Sequence, residues 1–132
     1  MIYRYTIPLA PVTKKNHQQI LTNRKTGKPF VAQSTAYKRY EKAAGYFLNP
    51  KPKSPLEGLC EVVAVFYMPT AQRVDLTNLL EALDDVLVNA GVLADDNCNI
   101  IYSHDGSRVF VDRKNPRTEV TIREKDDGQV IP

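Results

Sequence analysis

One stretch, residues 73–108, constrains the fold more than any other part of the sequence. In its first half, RVDLTNLLEALDDVLVNAG, apolar residues recur three and four positions apart, which predicts an amphipathic helix over about Leu76–Ala90. Gly91 follows at the position where helices commonly end in a left-handed residue. The next residues, VLADDNCNI, predict an acidic loop that leads into a strand. A helix with one apolar side must bury it against another layer of structure.

The same stretch has a one-sided charge pattern. No Lys or Arg occurs between Arg73 and Arg108, whereas seven carboxylates do: Asp75, Glu81, Asp84, Asp85, Asp95, Asp96 and Asp105. A surface helix usually mixes charges of both signs at a spacing of four residues, so a run without cations favours a shared role for the acids. Carboxylate oxygens are the ligands of hard divalent cations such as Mg²⁺.

The remainder of the chain is divided by charge. Residues 1–53 contain eleven Lys or Arg and one acid, a net charge of +10, while residues 54–132 contain seven basic and fourteen acidic residues, a net charge of −7. Such asymmetry suggests nucleic acid or an acidic membrane as the partner of the basic half. An ordinary solvated surface explains the asymmetry equally well, so composition alone leaves the partner open.

Length and composition predict one globular domain. The chain has 132 residues, of which 42% are hydrophobic and 25% charged. We expect a single domain over residues 1–123 and a disordered tail over residues 124–132. No apolar run approaches the roughly 18 residues of a membrane span, and no signal-peptide pattern is present, so we expect no membrane partner and a cytoplasmic location. Cys60 and Cys98 are expected to be reduced thiols.

The pattern of elements predicts an α+β fold, a small mixed sheet with two main helices. A hairpin is expected over residues 17–33, with the turn residues Asn23 and Gly27 at its tip. Ser34 suits the N-cap of a first helix over residues 35–48. That helix is expected to bury the stripe Tyr37, Tyr40, Ala44 and Phe47. Strands are expected over Ile2–Ile7, 58–68, 99–103 and 118–123, a hairpin over 17–33, and helices over 35–48 and 76–90.

The acids of the second helix share a face. Asn78, Glu81 and Asp85 follow one another at three and four residues, opposite the leucines. Asp75 precedes the helix, and the pair Asp95–Asp96 follows Gly91 closely enough for the chain to fold back toward it. These acids could converge on one metal ion. They could also be a helix cap, a solvated face and a turn, and each acid taken singly favours that simpler role.

The other polar motifs carry weaker signals. Lys14, Lys15 and Asn16 occupy a loop that follows Pro11, where they could donate hydrogen bonds to phosphate or simply be solvated. His17 and His104 have no Cys or Ser nucleophile at a recognisable spacing, so a surface or turn role is expected for both.

Taken together, these residues resemble the RusA family of Holliday-junction resolvases. The family pattern is Asp-x-Asp-Asn at the start of a helix, then Lys, then Asp, then Gly and a paired Asp-Asp before a strand. The corresponding residues here are Asp75-Leu76-Thr77-Asn78, Glu81, Asp85, Gly91 and Asp95-Asp96. The segments PLAPVTKKN and FVAQSTAYKRY also resemble the family's basic entry loop and its strand leading into the first helix. The resemblance covers about residues 2–123.

The resemblance implies an α+β homodimer that binds four-way DNA junctions and uses Mg²⁺, with Mn²⁺ as an alternative, to cut two opposed strands. It places metal-binding aspartates at Asp75 and Asp96. Two positions depart from the pattern, because Thr77 replaces an aspartate and Glu81 replaces a functional lysine. One interpretation is that Glu81 replaces the missing aspartate as a metal ligand. The other is that the site has lost its chemistry and the protein binds DNA without cutting it.

Three functional hypotheses follow. The leading one is a Mg²⁺-dependent, structure-selective endonuclease, with Asp75, Asp96 and Glu81 as metal ligands and Asp95 or Asp85 as outer-sphere or base residues. The second is an inactive junction-binding protein, and the third is a small metal-binding or interaction domain that does not bind DNA tightly. In the first two, backbone phosphates would be bound by Lys14, Lys15, Asn16, Arg24, Lys25, Lys28 and Arg73.

Overall fold

A computed structural model of the chain describes residues 1–14, 18–33 and 35–125. It contains two helices and a mixed sheet, which confirms the predicted α+β class. The elements in chain order are β1 (Ile2–Ile7), β2 (Gln18–Thr22), β3 (Pro29–Gln33), α1 (Thr35–Gly45), β4 (Cys60–Met68), α2 (Leu76–Asn89), β5 (Ile101–Ser103), β6 (Arg108–Val111) and β7 (Arg117–Glu124).

The main sheet is built around β4. This strand pairs antiparallel with β7 along its whole length, and β7 pairs antiparallel with β1. On the other edge of β4, the short strands β5 and β6 both run parallel to it, β5 at its beginning and β6 at its end. Strands β2 and β3 form a separate two-stranded hairpin.

The core lies between one face of this sheet and the two helices. Every second side chain of β4 is buried, from Cys60 through Phe66, as the two-residue period of a strand requires. Val120 and Ile122 of β7 extend the same buried face, and the leucines of α2 pack against it. The opposite side of α2 therefore remains available to solvent.

Helix α2 follows the sequence prediction closely. It buries Leu79, Leu83 and Leu87 and ends at the C-cap Ala90. Gly91 has φ = +81°, the left-handed conformation predicted for the residue after the cap. The chain therefore reverses direction at Gly91, and the residues that follow run back toward α2.

Helix α1 differs from the prediction at its carboxyl end. It ends at Gly45 rather than at Leu48, and the next residues form turns. As a result Phe47, expected in the buried stripe, is 41% exposed, whereas Leu48 is fully buried. Tyr37, Tyr40 and Ala44 are buried as expected. The N-cap expected at Ser34 lies outside the described residues.

Strand β6 was not predicted from the sequence. It is a four-residue edge strand in which Phe110 and Val111 are about half exposed, so it lacks the alternating burial that marks the longer strands. At the other end of the sheet, β7 extends to Glu124, one residue further than expected. The tail prediction for residues 126–132 lies outside the described residues.

Within the described part of the chain, neither helix combines the length and the apolar character needed to cross a membrane.

Candidate functional site

The exposed side of α2 carries the acidic face predicted from the sequence. Glu81 is exposed, Asp85 and Asn78 are partly exposed, and the leucines lie on the opposite side. This confirms the helical spacing on which the face was predicted. Two carboxylates four residues apart repel each other, so a neighbouring positive charge stabilises the face.

Lys14 supplies that charge from the segment after β1. Its ammonium group donates a short hydrogen bond to Oδ2 of Asp85, and it lies 3.7 Å from Oε1 of Glu81. Burial lowers the pKa of Lys14, but the hydrogen bond and the charges of Asp85 and Glu81 outweigh it, so the pKa is raised overall. In the structure Lys14 contacts two carboxylates of α2, and its predicted binding of DNA phosphates stays a prediction.

Asp75 lies at the N-terminus of α2 with its carboxylate free of the capping role. It occupies the N-cap position, yet its side chain accepts no hydrogen bond from a helix N–H. The two N–H groups of Asn78 and Leu79 bond instead to the backbone carbonyl of Asp75. Its Oδ2 accepts only a long hydrogen bond, 3.3 Å, from the side-chain amide of Asn78. The carboxylate of Asp75 is therefore exposed and available to a ligand.

The loop after Gly91 carries the paired aspartates Asp95 and Asp96. The backbone N–H of Ala94 bonds to the carbonyl of Leu56, which fixes the start of this loop. Asp95 then accepts hydrogen bonds from the backbone N–H of Asp96 at 2.7 Å and from the side chain of Asn97 at 3.1 Å.

The pKa of Asp96 is raised by its surroundings. Local desolvation is the largest cause, and the hydrogen bond and charge of Asp95 and the negative charge of Asp85 on α2 raise the pKa further. These influences on the pKa of Asp96 indicate electrostatic repulsion among the acids, which a bound cation or proton relieves.

The donor chemistry of this surface suits Mg²⁺, because Asp75, Glu81, Asp85, Asp95 and Asp96 offer only oxygen. Their present arrangement is less complete than the sequence predicted. Among the described residues, no group of three or more acidic, histidine or cysteine side chains is arranged so that it could hold a metal ion. The metal site as predicted therefore requires these side chains to move together.

A second acid–base pair lies directly behind the acidic face. Asp84 is 9% exposed, and its Oδ2 lies 2.9 Å from Nε2 of His104 in the turn after β5. The other ring nitrogen, Nδ1, lies 2.8 Å from the carbonyl oxygen of Val62 in β4 and must donate to it, because a carbonyl can only accept. Asp84 and His104 thus tie α2 to the sheet.

This pair was not predicted from the sequence. Asp84 is buried, and His104 is half-buried in a turn, where it bridges α2 and β4. One signal for Asp84 was available in the sequence, since it stands four residues after Leu80 and three before Leu87, within the buried stripe. For His104 the sequence contains no comparable signal.

The predicted DNA-binding residues are placed in two groups. Arg24, Lys25 and Lys28 are exposed around the tip of the β2–β3 hairpin, and Arg73 is exposed just before α2. The calls on Lys15 and Asn16 fall outside the described residues.

A cleft lies between the segments that lead to Lys14 and to Asp75. It has a volume of about 490 Å³ and runs between Pro11–Thr13, directly before Lys14, and the segment that ends at Arg73 and Val74, directly before Asp75. Arg73 is therefore a cation in the cleft wall, and Lys14 follows the opposite wall in sequence.

Comparison with protein families gives one match, to the model described as endodeoxyribonuclease RusA, over residues 8–123. The match covers most of the chain, including the N-terminal segment, both helices and the acidic loop. This chain belongs to the RusA family. RusA proteins are endonucleases that act on branched DNA junctions, so the family resemblance noted in the sequence is confirmed. A search of curated proteins found no match.

Proposed function

We propose that this RusA-family chain is a Mg²⁺-dependent endodeoxyribonuclease that resolves four-way DNA junctions by hydrolysing two opposed phosphodiesters. The observation that carries the proposal is the match to the RusA family over residues 8–123, which include Asp75, the acidic face of α2 and the loop with Asp95 and Asp96. Carboxylates repel one another and also repel the phosphates of DNA. A protein that only bound DNA would therefore gain nothing from an acidic face beside a basic segment.

In this proposal Asp75, Asp96 and Glu81 hold the metal, and Asp85 and Asp95 act from the outer sphere or as a base. When bound, Mg²⁺ would polarise a phosphoryl oxygen and neutralise charge on the leaving oxygen; Mn²⁺, which accepts the same oxygen ligands, would serve as well. The protein's own contribution would be to present these carboxylates on one surface and to place the DNA strand beside it. The uncapped carboxylate of Asp75 supports its inclusion in this set.

The basic residues would fix the DNA by its phosphates. Contacts from Arg24, Lys25, Lys28 and Arg73 carry little base information, so selectivity for a branched substrate would come from geometry. A homodimer would present two equivalent sites to a roughly symmetric junction, which is why we propose a symmetric dimer as the active species.

The test is cleavage of a labelled synthetic four-way junction, with linear duplex as the control substrate, in Mg²⁺, in Mn²⁺ and in EDTA. We expect paired nicks near the branch point that need the metal and that spare the duplex. Cleavage in EDTA, or equal cleavage of duplex and junction, would contradict the proposal.

A catalytically inactive junction-binding protein is the second candidate. It is favoured by Thr77, which has no carboxylate, and by the pairing of Lys14 with two of the acids. Tight junction binding without cleavage in either metal would select it.

The hairpin gives a prediction that both candidates share. Replacing Arg24, Lys25 and Lys28 together by alanine should weaken junction binding by about 10- to 100-fold at low salt, because up to three phosphate contacts are lost. The slope of log affinity against log salt should become shallower by about one for each lost contact. Both quantities come from fluorescence anisotropy between about 50 and about 200 mM salt.

The matched control removes one arginine and two lysines elsewhere, at Arg39, Lys51 and Lys53, all of which are exposed. If this control variant loses as much affinity as the hairpin variant, only net charge matters and the hairpin is not a DNA contact.

A further inference from the structure

Lys14 connects the basic half of the chain to the acidic half. It belongs to the basic N-terminal half, yet its ammonium contacts Asp85 and Glu81, which are about 70 residues later on α2. The Lys14 side chain is only 20% exposed, and that of Asp85 is 28% exposed. The contact is therefore partly shielded from solvent and is not an incidental surface pair.

The part of this contact that joins Lys14 to Glu81 is easily broken. The side chain of Glu81 is 51% exposed, and at 3.7 Å its oxygen is beyond a close hydrogen bond to the ammonium. Glu81 and Asp85, four residues apart on the helix, repel each other, and a positive charge between them relieves that repulsion. A hard divalent cation would relieve it as well as Lys14 does, but the two cations would repel each other at such a distance.

We propose that Lys14 is a displaceable counter-ion of the acidic face, which a divalent cation replaces and which then binds a DNA backbone phosphate. The inference rests on the proposed function, since it assigns a step to that site. The three residues directly before Lys14 line the cleft, so Lys14 is next in sequence to a cleft wall that also includes Arg73.

The consequence is coupling between metal and DNA. A phosphate that attracts Lys14 frees two carboxylates for the cation, and a cation that occupies the carboxylates frees Lys14 for the phosphate. By thermodynamic linkage, each ligand must raise the affinity for the other by the same factor.

The experiment measures binding of Mg²⁺ by calorimetry, and of Mn²⁺ by electron paramagnetic resonance, to the full chain without DNA. In Lys14→Met the competitor is removed, so the affinity for either ion should rise by about fivefold. Lys14→Arg keeps the charge and should stay near wild type. Lys51→Met removes one exposed positive charge from another segment and reports the effect of net charge alone.

A second arm repeats the titration with a saturating four-way junction. Junction should tighten metal binding to wild type and tighten it by a smaller factor in Lys14→Met. A Lys14→Met variant that binds metal as wild type does, or more weakly, would overturn the inference and leave the proposed nuclease intact. Absence of metal binding in both proteins would overturn both, and metal binding by the variant alone would support the inference while showing that the wild-type site is closed without DNA.

Discussion

Asp96→Asn is expected to lower the rate of junction cleavage by at least about 100-fold, while the affinity for the junction stays within about threefold of wild type. The amide keeps the size of the side chain but loses the negative charge that would attract a divalent cation. Asp96 is exposed in the loop that returns toward α2, and its neighbours Asp95 and Asp85 already raise its pKa, so the substitution relieves repulsion rather than breaking the fold. Single-turnover cleavage and anisotropy on the same junction give the two quantities.

The control is Asp105→Asn, which removes an exposed carboxylate from the turn between β5 and β6. It should cleave at the wild-type rate. The same large loss is expected for Asp75→Asn, whose carboxylate makes no capping bond to the helix. If Asp96→Asn cleaves within a few-fold of wild type, Asp96 is not a metal ligand and the family assignment at this position does not transfer to this chain.

The second large effect concerns stability. His104→Ala is expected to lower the free energy of unfolding by about 2–4 kcal/mol, because it leaves the carboxylate of Asp84 buried without its partner. The lower part of that range applies if water enters the space, since the side chain of His104 is 26% exposed. The other carboxylate oxygen, Oδ1, is already buried without a hydrogen-bond partner among the described residues, so no alternative contact is at hand. Urea unfolding followed by circular dichroism measures the loss.

A double-mutant cycle separates the pair from its surroundings. Asp84→Ala and His104→Ala together should cost less than the sum of the two single changes, by about 1–3 kcal/mol. Asp105→Ala, beside His104 but exposed, serves as the control and should change stability by less than about 0.5 kcal/mol. Strict additivity of the two single substitutions would show that Asp84 and His104 do not stabilise each other.

The same pair sets the direction of a pH effect. Burial lowers the pKa of His104, but the hydrogen bond and charge of Asp84 and the carbonyl of Val62 outweigh it, so the pKa is raised. Burial raises the pKa of Asp84, against the opposing influence of His104. Both His104 and Asp84 therefore keep their protons to a higher pH in the folded protein than in the unfolded chain. The stability that protonated His104 contributes is complete below about pH 6.5 and is lost as the pH rises through the pKa of His104 in the folded protein.

The measurement is the difference in unfolding free energy between wild type and the double variant Asp84→Asn/His104→Gln. This difference in unfolding free energy should decrease as the pH rises from about 6 to about 9. A difference that stays constant over this range would show that neither group titrates there.

Much of the fold was predictable because it depends on local periodicity. The two-residue alternation of β4 and the leucine spacing of α2 fix which side chains are buried, and the glycine after α2 fixes where the chain turns back. The acidic face of α2 is a direct consequence of the same spacing. Strand β6 escaped prediction because a short edge strand pairs through its backbone and buries too little to leave a pattern. Phe47 and Leu48 exchanged roles because a helix that stops three residues early changes which side chain faces inward.

The sequence by itself determined the α+β class, the helix that carries the acids, and membership of the RusA family, since motif spacing and apolar periodicity are properties of neighbouring residues. Only the tertiary structure decided which distant residues meet those acids. Lys14 reaches Asp85 across 71 positions, and His104 reaches Asp84 from another strand connection. Helical spacing states which face a carboxylate occupies, but the charge that faces it depends on how the layers pack.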